Sequence, residues 1–316
     1  MTADLLVTPG DPRGVGPEVA LRAIERIRAE CPAVDVAILG PDGPLRPGAL
    51  SEVAAEARRG GLDDAAAGTF AAESIERAVA LALAGEARAI VTGPLHKPSL
   101  HAAGRRVPGQ TEMLAGLAGV DDVGMLMCAE RTRLDAPLRV LLATTHLALV
   151  DVPAAVTRER LLGQVTLLDG ALRRDWALSD PKIGLCALNP HASDGGLFGD
   201  EEARVFAPAV KAARERGIDV VGPVPADTVF ARALAGEFDG VVAPYHDVGM
   251  AAFKTVSFGT GVNVTLGLPF VRTSPDHGTA FDIAGLDRAD ESSMLEALRL
   301  ASTLARNRFD TPSTDV

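Results

Sequence analysis

The sequence predicts an α/β fold with two domains. Short runs of Val, Leu, Ile and Ala alternate along the chain with longer segments of helical period, whereas strands that alternate apolar and polar residues, as in all-β proteins, are few. The chain has 316 residues, of which 47% are hydrophobic and 23% are charged. At roughly 150 residues per domain, this length and composition predict two domains with large cores.

The elements follow from these patterns in chain order. A buried first strand at 4–8 precedes a helix at 17–29 that has Pro at its first position, which favours helix initiation. Further strands are predicted at 34–39, 87–92, 123–128, 138–144, 182–187, 218–221, 239–243 and 262–266. Further helices are predicted at 70–86, 153–174, 200–215, 226–235 and 290–306, and the stretch 41–68 is predicted to be a surface connection.

Charge and hydropathy exclude several classes of protein. The formal net charge is −11, and no run of Lys and Arg stands out against it, so we expect no nucleic-acid partner. No apolar stretch reaches the roughly 18 residues that a membrane span needs, and the N-terminal MTADLLVTPGDP shows no basic targeting region, so we expect a cytoplasmic protein with no membrane partner. The three cysteines are predicted to be buried thiols.

Four of the six histidines closely follow predicted strands: His96, His146, His191 and His246. Ligands in α/β sheets bind at the carboxyl ends of strands, where neutral imidazoles from several strands can share a zinc-type ion. The spacing matches no compact zinc motif. Ordinary polar loop residues therefore remain an alternative to a three-histidine metal site.

Other strand ends also carry polar residues. The turn GDPRGVGPE is not the GxGxxG dinucleotide fingerprint, and it is either a tight turn before a helix or a site where backbone N–H groups approach an anion. Lys97 and Lys254 are two of only four lysines, and both lie in loop-like contexts near a histidine. Asn263 and Arg272 lie in a polar, Gly-rich stretch, where Arg272 is suited to bidentate binding of a carboxylate or phosphate, or else to a structural ion pair.

Eight motifs run in order from Thr8 to Gly285: TPGDPRGVGPE, TGPLHK, GQTEML, LATTHLAL, LNPHASDGGLFGDEE, GPVPADTVF, YHDVG followed by FK, and GVNVTLGLPFVRTSPDHGTAFDIAG. Together they resemble the 4-hydroxythreonine-4-phosphate dehydrogenase family of vitamin B6 biosynthesis. The resemblance implies a two-domain α/β/α sandwich similar to isocitrate and isopropylmalate dehydrogenases, with the active site in the interdomain cleft. Residues 1–130 with about 285–316 would form the first domain, and 131–284 the second, which would carry the metal ligands and the dimer interface.

The resemblance also implies a set of site residues. One divalent metal, zinc or else Co, Mg or Ni, would be held by His146, His191 and His246 from both subunits of a homodimer. The substrate contacts would be Gln110, Thr111, Lys254, Asn263 and Arg272. Lys254 would also assist proton transfer. Asp247 would support His246, contact the metal, or only cap a turn. The cofactor would be NAD or NADP. The residues that bind it stay open, with Gly10, Asp11, Gly14 and Asp227 as candidates.

The implied reaction oxidises and decarboxylates 4-phosphohydroxy-L-threonine to 3-amino-2-oxopropyl phosphate. Gln110 stands where the family normally has a substrate-binding histidine, and it cannot carry a charge. The alternatives are therefore relatives that oxidise D-threonate or D-erythronate 4-phosphate, or a cis-dihydrodiol carboxylate. A metal-dependent hydrolase using the same histidines, and an inactive binding protein, are the alternatives from other classes.

Overall fold

The computed structural model describes residues 3–310 and divides into two compact units. The first unit contains the described residues up to Val123 and those from Val262 onward, and the second contains Gly124–Gly261. Each unit is an α/β structure built around its own set of strands. No helix within residues 3–310 combines the length and the apolar character needed to cross a bilayer.

The strands, in chain order, are β1 (Ala3–Thr8), β2 (Val36–Gly40), β3 (Gly43–Leu45), β4 (Ala87–Thr92), β5 (Gly124–Ala129), β6 (Leu138–Leu142), β7 (Lys182–Cys186), β8 (Asp219–Val224), β9 (Gly240–Ala243), β10 (Val262–Leu266) and β11 (Val271–Pro275). The α-helices are α1 (Gly16–Glu30), α2 (Pro47–Glu56), α3 (Asp64–Leu83), α4 (Lys97–Ala102), α5 (Gln110–Ala118), α6 (Val152–Ala155), α7 (Arg158–Asp175), α8 (Ala207–Glu215), α9 (Ala226–Leu234), α10 (His246–Ser257) and α11 (Ser292–Asp310).

In the first unit the strand order is β3-β2-β1-β4-β11-β10. Strands β2, β1, β4 and β11 are parallel, and β3 and β10 pair antiparallel to their neighbours. Leu6 and Ile90 face a core shared with α3, whereas the Thr273 hydroxyl donates to the Ala297 carbonyl of α11 on the opposite face. Because both faces are covered, β1 and β4 are nearly continuous apolar runs, as the sequence predicts.

In the second unit the strand order is β5-β6-β9-β7-β8, with β5 antiparallel and the other strands parallel. One core contains Phe230 of α9 and Phe253 of α10 packed with Val140 and Val241 of the central strands. The carboxyl ends of β6, β9 and β7 therefore lie along one edge of this sheet. The loops that carry the predicted histidine ligands begin at this edge.

The α/β class and most predicted elements are confirmed, with differences that have physical causes. Residues 41–68 are not a simple connection, because they contain β3, α2 and the start of α3. Only Leu50 and Ala54 of α2 are buried, so its apolar period is too weak to see in the sequence. The predicted helix at 153–174 is two helices, since the Thr157 hydroxyl accepts from the Arg160 N–H at 3.2 Å and caps α7. Cys31 is exposed, while Cys128 and Cys186 are buried as predicted.

The division into units also differs from the predicted boundaries. Residues 262–284 belong to the first unit, because β10 and β11 pair with each other and β11 pairs with β4. Residues 124–130 begin the second unit, because β5 pairs with β6. The chain therefore leaves the first unit and returns to it earlier than the sequence indicates.

Asp63→Ala should destabilise the protein by about 1 kcal/mol, because it removes the N-cap of α3. The Asp63 carboxylate accepts from the Ala66 N–H at 2.8 Å, which satisfies one of the free amides of the first turn. Urea unfolding measures the loss. Asp63→Asn is the matched control and should retain most of the stability, since asparagine is also a good N-cap; equal losses for both variants would contradict the capping role.

Candidate active site

Arg272 lies on β11 with its guanidinium buried, at 2% exposure, against neutral oxygen atoms. Its Nη1 donates to the Thr265 hydroxyl at 2.9 Å, and its Nη2 donates to the Thr92 hydroxyl at 2.7 Å and to the Gln110 amide oxygen at 2.6 Å. Its Nε has no hydrogen-bond partner among the described residues. Two strands, β4 and β10, and the start of α5 thus supply oxygen atoms to one cation on β11.

Among residues 3–310, no carboxylate contacts Arg272, and its hydrogen-bond partners are all neutral. Burial lowers the pKa of Arg272 to about 10, and the more distant Glu112 acts in the opposite direction. A buried cation without an anionic partner is costly. An anionic ligand would supply the missing charge, so this group of residues has the chemistry of an anion site rather than of a structural ion pair.

Gln110 is the first residue of α5, and hydrogen bonds determine the orientation of its amide. The amide oxygen accepts from Thr92 at 3.0 Å as well as from Arg272, and the amide nitrogen donates to the Gly93 carbonyl at 2.9 Å. Both Nη2 hydrogens of Arg272 are thereby directed to neutral oxygen atoms. The bidentate contact predicted for Arg272 therefore requires that Gln110 move, since its amide occupies one arm of the guanidinium fork.

Two other predicted substrate contacts belong to the first unit. Asn263 on β10 has a buried side-chain oxygen with no hydrogen-bond partner among residues 3–310. Thr111 follows Gln110 in the first turn of α5, where Gly109 provides no side-chain cap. A buried orphan acceptor and an uncapped helix N-terminus are both polar groups that a ligand would satisfy.

In the second unit, His146 and His246 lie next to each other, with ring centroids 5.7 Å apart. His246 is the first residue of α10, separated from the end of β9 by two residues, and its Nδ1 is 2.7 Å from the Asp247 carboxylate. With Nδ1 as the donor to this carboxylate, Nε2 of a neutral ring keeps a free lone pair for a metal. Two imidazoles bound to one tetrahedral ion have centroids roughly 5 Å apart, so this pair fits a zinc-type ion after a small adjustment.

His191 lies in the loop after β7, in a segment of unusual backbone. Residues 191–195 have φ values of 51°, 55°, 69°, 45° and 69°, which is one left-handed turn. For residues other than glycine this conformation costs about 1–2 kcal/mol each. Among residues 3–310, no three His, Cys, Asp or Glu side chains are already grouped to hold a metal. The three-histidine site thus stays a prediction, with two of its members in contact.

Two predicted residues lie on helices of the second unit. Lys254 is exposed on α10, two turns beyond His246, which places their backbones about 12 Å apart along the helix axis. Asp227 is exposed in the first turn of α9. Neither position conflicts with a role in binding, and both roles stay predictions.

The predicted cofactor turn after β1 is held by an ion pair. Asp11 is buried at 1% exposure, and its carboxylate accepts from Arg13 Nε at 3.0 Å and Nη2 at 2.9 Å. Gly10 has φ 77°, and a Cβ there would lie 2.1 Å from the Pro94 carbonyl oxygen. A Cβ at Gly14 would lie 2.6 Å from the Thr279 carbonyl oxygen. These residues determine the shape of the turn, and contact with a cofactor stays a prediction.

Comparisons with known proteins agree with these observations. The model of the pyridoxal phosphate biosynthetic protein PdxA family matches residues 18–301. The chain belongs to the PdxA family. It is 44% identical to the 4-hydroxythreonine-4-phosphate dehydrogenase of Burkholderia vietnamiensis, covering 98% of this chain and 99% of the relative. It is also 44% identical to the D-threonate 4-phosphate dehydrogenase of Cupriavidus necator, covering 96% of this chain and 97% of the relative.

Solved structures confirm the predicted fold. The crystal structure of 4-hydroxythreonine-4-phosphate dehydrogenase from Klebsiella pneumoniae superposes with a TM-score of 0.78 at 37% identity, covering 96% of this chain and 100% of that one. Isocitrate dehydrogenase from Methylococcus capsulatus shares the fold at 17% identity, with a TM-score of 0.51, covering 97% of this chain and 88% of that one. The predicted PdxA membership and the predicted likeness to isocitrate dehydrogenases are both confirmed.

Proposed function

We propose that this PdxA-family enzyme oxidises 4-phosphohydroxy-L-threonine with loss of CO2 to give 3-amino-2-oxopropyl phosphate, for pyridoxal 5'-phosphate biosynthesis. The observation that carries the proposal is Arg272, a buried cation surrounded by neutral hydroxyl and amide groups. Such a group favours a ligand that brings a negative charge into contact with it. Phosphorylated hydroxy acids are the substrates named for the relatives above.

The proposed site residues of the first unit bind the substrate, and those of the second unit take part in the chemical step. In the first unit, Arg272, Asn263 and Thr111 bind and orient the anionic group of the substrate. In the second unit, His246 and His146 hold the divalent ion, and Lys254 assists proton transfer. A bound divalent ion would lower the pKa of the substrate hydroxyl, and a bound nicotinamide would accept the hydride.

The electrons, protons and carbon lost by the substrate can each be accounted for. Oxidation of the secondary alcohol gives a ketone, two electrons and one proton pass to NAD(P)⁺ as hydride, and a second proton leaves the hydroxyl group. The resulting 3-keto acid loses its carboxylate as CO2, and the carbon that carried the carboxylate keeps the bonding electron pair and takes up one proton to give the product. We propose that the metal is zinc or a similar ion and that the cofactor is NAD or NADP. We also propose that the protein is a cytoplasmic homodimer in which both subunits contribute histidines to each metal site. The exposed positions of His146 and His191 support such shared ligation.

A second candidate substrate is D-threonate 4-phosphate. It is favoured by the equal identity, 44%, of the relatives named for each activity. It is also favoured by Gln110, whose neutral amide oxygen faces Arg272. The two substrates share the phosphate and the oxidised alcohol, but 4-phosphohydroxy-L-threonine carries an amino group where the sugar acid carries a hydroxyl group.

The experiment that tests the proposal is reduction of NAD and of NADP, followed by absorbance, with 4-phosphohydroxy-L-threonine, D-threonate 4-phosphate and D-erythronate 4-phosphate. Each substrate is tested with and without a chelator. We expect chelator-sensitive reduction with the first substrate. Turnover of a sugar-acid phosphate alone would replace the first candidate by the second, and substrate consumption without nicotinamide reduction would support a hydrolase.

Gln110→His should shift the preference between the two substrates by about tenfold, because an imidazole changes which hydrogen-bonding atoms face the substrate beside Arg272. The ratio of kcat/KM for the two substrates measures the shift. Gln110→Glu is the matched variant of the same length, and it should weaken both substrates because its carboxylate would neutralise Arg272. If the ratio of kcat/KM is unchanged in Gln110→His, Gln110 does not determine which substrate is preferred.

A further inference from the structure

Glu202 is a buried carboxylate that connects the end of β7 to the loop of His191. It lies one turn before α8, at 4% exposure. Its Oε1 accepts from the Leu188 N–H at 2.9 Å and the Asn189 N–H at 2.7 Å, and its Oε2 accepts from Asn189 Nδ2 at 2.9 Å and from the Ser193 hydroxyl. One side chain therefore binds the residues on both sides of His191.

The turn that carries His191 has few other attachments. Of its five left-handed residues, Ser193 alone is buried, at 3% exposure, and its hydroxyl is the group that Glu202 holds. His191, Asp194 and Gly195 are exposed, so packing does not determine their conformation. The strained backbone is stable only if other contacts hold it in place. The carboxylate of Glu202 supplies one hydrogen bond inside the turn, from Ser193, and three to Leu188 and Asn189, which lead into it.

We infer that Glu202 is the positioning residue that holds the left-handed turn and thereby orients His191. This inference rests on the proposed metal site, in which His191 is a ligand, and it adds a residue that acts through His191 without touching the ion. Asn189 has a supporting role, because its Nδ2 donates to both Glu202 and Glu201, the latter at 2.8 Å. The backbone that carries His191 is then held in place by the fold before any ion arrives.

Glu202→Gln keeps the shape of the side chain but replaces an acceptor oxygen with an amide that donates. It should move the ring resonances of His191 in the NMR spectrum of the metal-free protein and leave those of His146 and His246 in place. The chain holds only six histidines, so single substitutions can assign each ring. Titration with Co²⁺, followed by visible absorbance, should show binding weakened by about 10- to 100-fold, as for other residues that orient a metal ligand.

Asp200→Asn is the matched control, because the side chain of Asp200 is 73% exposed and pairs with Arg204 on the surface. It should change neither readout. Ser193→Ala is the second variant in case Glu202→Gln unfolds, since it removes a single hydrogen bond and should move the same resonances with a smaller loss of cobalt binding. Circular dichroism of each variant reports whether the fold persists.

Unchanged His191 resonances in both folded variants would overturn the inference, and so would cobalt affinity equal to that of the wild-type chain. The outcomes for the proposed function are separate. A wild-type protein that binds no cobalt contradicts the metal site, while the NMR comparison still tests the role of Glu202. Cobalt binding that depends on Glu202, without reduction of NAD or NADP by any of the three substrates, contradicts the dehydrogenase alone.

Discussion

Arg272→Met should raise the KM for the phosphorylated substrate by roughly a hundredfold and leave the KM for the nicotinamide cofactor unchanged. A hydrogen bond to a charged group contributes about 1.5–3 kcal/mol, and each 1.4 kcal/mol corresponds to a tenfold change in affinity. Methionine fills similar space without the charge. The variant also removes a buried cation that has no contacting carboxylate, so we expect little loss of stability. Steady-state kinetics and thermal unfolding in phosphate-free buffer measure both effects.

Arg139→Met is the matched control in the second unit. Arg139 is also buried, at 8% exposure, but it makes two hydrogen bonds with the Glu130 carboxylate, at 3.0 and 2.7 Å, and lies 5.5 Å from the ring centroid of Trp176. Loss of this pair should lower the melting temperature and leave the substrate KM unchanged. The opposite pattern, a stable Arg139 variant and an Arg272 variant with normal KM, would remove Arg272 from the anion site.

The elements predicted best from the sequence are the strands that are buried on both faces. Strands β1, β4 and β10 are buried on both faces and read as short apolar runs, and their predicted limits lie within one residue of the observed ones. Helices α4, α5 and α10 were not predicted, since each is short or contains few buried residues. Their residues carry site chemistry instead of a regular apolar face, so periodicity does not reveal them.

The site residues show a similar limit. Motifs in the sequence could identify Arg272 and Gln110 as site residues. They could not show that both contact Thr92, which lies 18 positions before Gln110 and 180 positions before Arg272 and is brought beside them by the folded sheet. Thr92 and Thr265 were therefore missed, although each sits at the end of an apolar strand where a lone threonine could have drawn attention. Glu202 was missed because a sequence does not show that a carboxylate is buried.

His246→Ala and His146→Ala should each remove the bound divalent ion and lower the metal-dependent oxidation rate by roughly a thousandfold, because such an ion contributes several kcal/mol and 1.36 kcal/mol is tenfold in rate. The two rings are neighbours, so either substitution leaves the other imidazole without a neighbouring imidazole to share the ion. Metal content after dialysis and chelator-sensitive NAD or NADP reduction measure the two losses separately.

His101→Ala is the matched control, because His101 lies on α4 and its Nε2 contacts the Val107 carbonyl at 3.0 Å. It should keep both metal and activity. Asp247→Ala should have an intermediate effect of at most about tenfold on metal affinity, since the carboxylate that orients His246 is 89% exposed and its effect is screened by water. If the His246 and His146 variants retain metal and full activity, the ion is not bound by this pair, and the dehydrogenase chemistry must be assigned to other residues.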